Sequence, residues 1–377
     1  MRRIDLRRLG MGAAAPILAL VVALTITSLI LLLAKDDVGA VWRQFFQAPK
    51  PRQVIAMINA AVVFYLSAVA AAIGFKMNLF NIGVDGQYRV AAFCAALVAG
   101  WGSNNGLPGP LVVVIALVVA MLSGALWSGI AGLLKVGRGV SEVISTIMLN
   151  AIATNLVAFL LAKVAHQATG SNVRTTQPIA ESAWVPGISL DGIIATPEKV
   201  YGLIVLAILV GVANWFLLGK TRFGFDLRAT GASETAALAS GVKVKRMVLV
   251  AMLLSGAAAG LVGMPLLFGQ DYAYGDTFQP GLGFAGIAIA LLGRNHPMGM
   301  AAAALLWGYL GQQAVGLPIN AGVSEKLVDV IQGVMVLSVV VAYELVRRGG
   351  IAMEQRRVAA QLAAQRARER QPEGVTA

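Results

Sequence analysis

The chain has 377 residues, of which 58% are hydrophobic and 13% charged, far below the roughly one-quarter charged residues of soluble domains, so a water-soluble globular fold is excluded. A net charge of +12 would suit nucleic-acid binding in a soluble protein, but here the basic residues lie between apolar spans, where lipid orientation accounts for them and no nucleic-acid partner is expected. One cysteine, Cys94, and two histidines, His166 and His296, leave no disulfide framework, CxxC redox pair or His-rich metal site, so no cofactor is expected either.

Apolar stretches long enough, as helices, to cross a hydrocarbon core of about 30 Å recur along the sequence. In chain order they fall at 13–34, 54–75, 82–100, 109–134, 143–165, 201–219, 247–268, 283–293, 298–318 and 327–346. The pattern predicts an all-α integral membrane protein with about ten transmembrane helices. The first span follows MRRIDLRRLG and reads as an uncleaved anchor, because it is too long for a signal peptide and lacks a small-residue cleavage site. The eighth is short and reads as a half-helix. Three parts follow: a cytoplasmic N-terminus at 1–12, a transmembrane domain at 13–346, and a basic cytoplasmic tail at 347–377. Basic residues assigned to the inner segments outnumber those in the outer ones by more than two to one, which places both termini in the cytoplasm. The largest outer loop, 166–199, carries Pro178, Pro186 and Pro197 and should be irregular.

Between the second and third spans lies FNIGVDGQYR, Phe80 to Arg89. Asn81, Asp85, Gln87 and Arg89 must each find a partner or water, because an unsatisfied polar group in hydrocarbon costs several kcal/mol. Asp85 and Arg89 are four apart and can pair on one helix face. Asn78, Asn81, Gln87 and, further on, Asn150 are uncharged hydrogen-bonding groups, while Phe80 and Trp127 offer stacking faces. Together they suit a neutral polar solute with an aromatic part. Gly83 and Gly86 allow the backbone to turn toward it.

Later stretches contain motifs that mislead. GLGFAG, Gly281 to Gly286, spells a dinucleotide fingerprint, yet no strand or βαβ unit surrounds it, so the glycines are expected to break or pack helices. LLGKT, Leu217 to Thr221, ends like a phosphate-binding loop, but Asn214 stands at the first glycine position. GAAAG, Gly256 to Gly260, reads as a helix contact of small residues. Two glycine-broken polar stretches, near Phe80 and near Gln279, echo each other as interrupted helices do at transport sites. The loop from Arg222 to Arg246 contains a short helix with Ser233 as N-cap, Glu234 near its positive end and Gly241 as its stop. Ala236, Ala237, Leu238 and Ala239 give this helix a small apolar face suited to another protein's groove.

Five blocks carry a family resemblance: FNIGVDGQ, GVSEVISTIMLN, GFDLRATGASETAALASGV, LLSGAAAGLVG and GFAGIAIALLGRNHPMG. In this order and spacing, over about Ile58 to Tyr343, they resemble the permease subunits of ABC importers for nucleosides and simple sugars, nearest to the nucleoside type. The resemblance implies a non-enzymatic translocation subunit of the bacterial inner membrane. It would pair with a separate ATPase, a second permease in a heterodimer and an extracytoplasmic substrate-binding protein. It also implies that the loop matching Gly231 to Gly241, with Arg228, Ser233, Glu234 and Ala237, is the coupling helix. Two departures, Asp85 where glutamate is more frequent and Ala285 where a polar residue is, bear on solute identity. Simple sugars are the alternative solute. An ion-coupled transporter using Asp85, Glu325 and Asp329 is the rival mechanism, and no HExxH pair or serine elbow supports an embedded enzyme.

Overall fold

The computed structural model describes residues 21–166 and 172–339, with scattered positions between 341 and 362. The expected N-terminal segment 1–12, the start of the first span and nearly all of the tail 347–377 lie outside the described residues. Two compact units are distinguished: a terminal one, up to Ala40 and from Lys326 onward, and a main one, Val41–Glu325. In the terminal unit, α1 spans Val21–Ala34 and α15 spans Leu327–Val339. Short α2, Val38–Phe46, leads into the main unit.

The main unit contains α3 (Pro51–Phe75), α4 (Val84–Asn104), α5 (Gly109–Arg138) and α6 (Glu142–Val164). After the loop come α7 (Ile204–Lys220), α8 (Arg222–Ala232), α9 (Glu234–Ala239), α10 (Val244–Gly260), the one-turn α11 (Met264–Leu266), α12 (Leu282–Leu292), α13 (Pro297–Ala314) and α14 (Leu317–Asn320). Local chemistry sets several boundaries. Pro51 opens α3 where its missing N–H costs nothing, and the Gln53 side chain accepts from the Lys50 N–H at 2.8 Å. Gly139, at φ +69°, closes α5 in the left-handed conformation, its N–H donating to the Lys135 carbonyl.

Four helical stretches are long and apolar enough to cross a membrane: α3, α5, α6 and the run Val244–Asp271, in which α10 continues through α11 into a π-helical turn. The pair α7 and α8, bent by 70°, makes a fifth candidate. α12 and the described parts of α1 and α15 are apolar but shorter than a full crossing. The ten spans expected from hydropathy therefore do not reappear as ten long helices among the described residues. α12 has 11 residues, matching the expected half-helix.

The Val244–Asp271 run is the most buried of the long spans, and α5 and α6 are the least. α10 packs chiefly on α5, and α3 on α12 and α13. The α5–α10 contact is backbone to backbone: a Cβ on Gly256 would lie 2.3 Å from the Gly124 carbonyl oxygen, and one on Gly260 2.1 Å from that of Ala120. Ser128 Oγ adds a hydrogen bond to the Met252 carbonyl at 2.7 Å. GAAAG is thus the close-packing seam its spacing suggests.

Over its described residues the 166–199 loop is irregular, as its prolines require, apart from a 3-10 turn at Glu181–Ala183 and a two-stranded ribbon, β1 (Ile188–Ser189) with β2 (Lys199–Val200). It straps onto the segment before α12. Thr176 donates to the Tyr274 carbonyl and Ile179 to that of Tyr272, both at 2.8 Å, Arg174 pairs with Asp276 at 3.0 Å, and Trp184 stacks on Tyr272 at 3.8 Å.

Candidate functional site

α3 ends at Phe75, and residues 76–83 turn the chain back into α4. Asn78, exposed and at φ +58°, supplies the left-handed residue of this turn, a conformation that asparagine tolerates better than most. FNIGVDGQ is therefore the hairpin between two helices and the first turn of the second.

Asn81 is fully buried, and both ends of its amide are engaged. Its Nδ2 donates to Gln87 Oε1 at 3.0 Å and to Ser255 Oγ at 2.8 Å, while its Oδ1 accepts from Gln87 Nε2 at 2.9 Å and from the Gly83 N–H at 3.0 Å. Ser255 in turn donates to the Ala70 carbonyl at 2.7 Å. One buried network thus ties α3, the hairpin, α4 and α10, as buried amides require. Asn150 of α6 clasps the same turn, accepting from the Gly86 N–H at 2.8 Å and donating to the Ile82 carbonyl at 2.9 Å. No side chain fits at Gly86: a Cβ there would lie 2.9 Å from that of Ala153.

Asp85 accepts from Arg89 Nε at 3.0 Å, so the pairing that their spacing allows is formed. Its other oxygen accepts from the Gly283 N–H at 3.3 Å, which sets a carboxylate at the positive end of α12. Tyr88 donates to the Gln279 carbonyl at 2.6 Å, fixing the strand of chain that leads into that helix. The glycines of GLGFAG act as expected of a helix start: Gly281 takes φ +80° as the N-cap, and Gly283 and Gly286 let α12 approach Asp85 and Ser67.

The structure brings together Asn81, Asp85, Gln87 and Asn150, and it takes up their hydrogen-bonding groups inside the protein. Phe80 differs. It is 45% exposed, its ring rests on Phe75, and its N–H donates to Glu142 Oε1 at 3.4 Å, while Glu142 pairs with Lys135 at 2.5 Å. Trp127 stands apart from the amides, lining an apolar 590 Å³ pocket with Val90, Cys94, Leu249 and Leu253. Among the described residues no group of three His, Cys, Asp or Glu side chains could hold a metal.

Sequence reasoning missed a second polar site at the loop end of the bundle. A 680 Å³ pocket lined by Asn59, Trp184, Gln270 and Tyr272 adjoins one of 190 Å³ lined by Asn59, Phe64, Tyr201, Gln270, Gln279 and Gln312. Tyr201 donates to Gln270, and burial first, then Asp271 and Tyr272, pushes its phenol up to about 12. The smaller pocket is neutral, amide-rich and aromatic. Its residues are scattered through the sequence, and the glycine-broken stretch near Gln279 is the signal that points toward it.

At the opposite end, Ser233 Oγ accepts from the Ala236 N–H at 3.3 Å, Glu234 opens α9, and Gly241, at φ +83°, follows its end, all as the spacing indicated. Ala237 is buried, while Leu238 is 59% exposed. α8 lies where the sequence predicts loop; it forms because Thr221 Oγ1 accepts from the Gly224 N–H at 3.1 Å and Leu227 is buried. Gly231 of α8 lies on the hairpin, where a Cβ would be 2.7 Å from the Met77 carbonyl carbon. Arg228 is near Lys76, whose ammonium is pushed below its ordinary range by burial first and by this neighbouring charge second.

Residues 53–340 match the family described as branched-chain amino acid transport system / permease component. The chain is 35% identical to the guanosine ABC transporter permease protein NupP of Bacillus subtilis, over 88% of this chain and 93% of that protein. It is 30% identical to the glucose ABC transporter permease protein TsgB13 of Haloferax volcanii, over 78% of each. It is also 30% identical to the nucleoside ABC transporter permease protein NupB of Lactococcus lactis, over 74% of this chain and 76% of that one.

Proposed function

The chain belongs to the branched-chain amino acid transport system / permease component family, and from that premise we propose that it is the membrane-spanning subunit of an ATP-driven importer of nucleosides. It is a multi-pass membrane protein and a translocation component, so ATP hydrolysis and solute capture fall to an ATPase and a substrate-binding partner. We assign both termini and α9 to the cytoplasm and infer a second, different permease chain beside this one. The basic residues of the α8–α9 segment support that orientation.

The observation that carries the reading is the 35% identity to a guanosine permease across nearly the whole chain. Two features of the fold support it. The α8–α9 element, which we take as the ATPase docking surface through Arg228, Gly231, Ser233, Glu234, Ala237 and Gly241, rests on the hairpin that carries the buried amide network. The neutral pocket of Asn59, Tyr201, Gln270, Gln279 and Gln312 offers donors, acceptors and an aromatic wall, which is what ribose hydroxyls and a base require. We place solute entry there. Asn78 and the exposed ring of Phe80 lie on the path at the far end, with Asn81, Asp85, Gln87 and Asn150 as its rigid backing and Trp127 as a more distant apolar wall. ATP shifts the pathway between outward and inward states only because it binds them differently.

A sugar importer is the second reading, favoured by the similarity to a glucose permease. Uptake of labelled guanosine by cells carrying the complete transport system, competed with unlabelled nucleosides, bases and pentoses, separates the two. Inhibition by nucleosides is expected, and inhibition by sugars alone overturns the nucleoside assignment.

A further inference from the structure

Between α3, α7 and α13 runs an apolar crevice of 490 Å³, with Ile58, Val62, Ile208, Val212 and Leu305 among its walls. Along α7 it reaches from Ile204 to Trp215, about 16 Å of helix. The crevice is open to the side: Ile208, Val212, Trp215 and Met298 are all exposed. At the α8 end it runs into a second pocket of 280 Å³, with which it shares Trp215, His296 and Pro297.

The character of the lining changes there. The second pocket presents Lys76, Arg228, Asn214 and Asn295, and no carboxylate lines it. Lys76 and Arg228 line the same cavity, and neither forms an ion pair among the described residues. Lys220 adds a third cation, its Nζ 5.4 Å from the Trp215 ring. Asn214 is buried, and its amide oxygen has no hydrogen-bond partner. The described lining thus gathers positive charge around a cavity without a carboxylate, beside an open apolar slot.

We infer that this composite groove is a binding site for one anionic phospholipid, its phosphate held by Lys76 and Arg228, its headgroup edge against Trp215, and an acyl chain in the crevice between α3, α7 and α13. Charge complementarity selects the headgroup, and the adjoining slot selects a lipid over a free ion. Trp215 sits at the junction, as indole rings do where hydrocarbon meets headgroups. Lys76 belongs to the α3–α4 hairpin and Arg228 to α8, so the lipid would screen two cations whose repulsion otherwise opposes the contact of those elements.

The test uses the full-length protein in phosphatidylcholine vesicles at constant ionic strength, doped with phosphatidylglycerol or phosphatidylcholine carrying brominated acyl chains. Trp215 emission is isolated as the difference between the parent and Trp215→Phe. Brominated phosphatidylglycerol is expected to quench it at a roughly fivefold lower mole fraction than brominated phosphatidylcholine, the preference one basic side chain near a membrane surface gives. Lys76→Gln should abolish most of that preference, Lys76→Arg should retain it, and excess inorganic phosphate should leave it intact. Equal quenching by the two lipids, or a preference that survives Lys76→Gln, overturns the inference. Loss of the preference on adding inorganic phosphate also overturns it, since the pocket would then hold the free ion.

Discussion

Gly231 and Met77 meet backbone to backbone, so closely that a β-carbon on Gly231 would lie 2.7 Å from the Met77 carbonyl carbon. α8 therefore bears on the α3–α4 hairpin without a flexible side chain between them, and a displacement of one is felt by the other. Gly231→Val should force the two apart at a cost of about 1–3 kcal/mol, the usual range for overpacking. The expected result is a lowered melting temperature and a larger fall in ATP-dependent uptake than in protein level, measured in the same membranes. Unchanged uptake would dissociate the hairpin from transport.

Glu234 opens α9, where a carboxylate favours the positive helix end, and almost the whole of this short helix is exposed. Glu234→Lys and Leu238→Glu should both reduce uptake severalfold while membrane insertion and melting temperature stay near the parent's. Co-purification of the ATPase should fall in parallel with uptake. Retention of the ATPase by both variants would remove α9 from the docking surface.

The Asp85–Arg89 pair is formed by side chains that are largely buried. Removing one partner strands the other, so Asp85→Ala should destabilise by about 3–5 kcal/mol, whereas replacing both by apolar residues should cost far less. Thermal melts of Asp85→Ala, Arg89→Met and Asp85→Leu/Arg89→Met give the comparison. A double variant as unstable as Asp85→Ala would mean that the hydrogen bond from the Gly283 N–H matters more than the ion pair.

Asn150 joins α6 to the hairpin through one donor and one acceptor. Asn150→Ala leaves the Gly86 N–H and the Ile82 carbonyl unsatisfied, with an expected loss of about 1–3 kcal/mol. Asn150→Asp keeps the acceptor and should fall between Ala and the parent. Melting temperature is the readout, and a neutral Asn150→Ala would show that water satisfies the turn instead.

Gln270→Leu and Gln312→Leu probe the amide pocket. Each keeps much of the side-chain volume and removes hydrogen-bonding groups from the lining. Half-maximal nucleoside uptake should need a severalfold higher solute concentration in both variants. Melting temperature should change little for Gln312→Leu and fall for Gln270→Leu, which strands the Tyr201 hydroxyl. Normal uptake kinetics in both variants would move solute entry elsewhere.

Local signals were legible where one residue decides the conformation. Ser233 and Gly241 bound α9 through a side chain and a left-handed backbone, and α12 announces itself as short because its apolar run is short. The Asp85–Arg89 pair followed from spacing alone. What could not be read was whether a polar side chain faces a solute or another helix. Asn81 and Gln87 answer each other across the start of α4, and Ser255, 174 residues on, completes their bonding; no window of sequence contains that relation. Residue type alone groups Trp127 with the amides, whereas it lines an apolar pocket with Cys94 and Leu253. The charged residues of α8 hide its helix from the sequence pattern, because they mask the burial of Leu227.

The glycine seam between α5 and α10 leaves no side-chain cushion along which the two helices could slide, because Gly124, Gly256 and Gly260 are already at backbone contact. These helices form the keel of the subunit. α7, by contrast, meets α3 with a side chain between them, the Tyr65 ring lying against Gly211, and a keel replaced by bulkier residues would be lost at assembly.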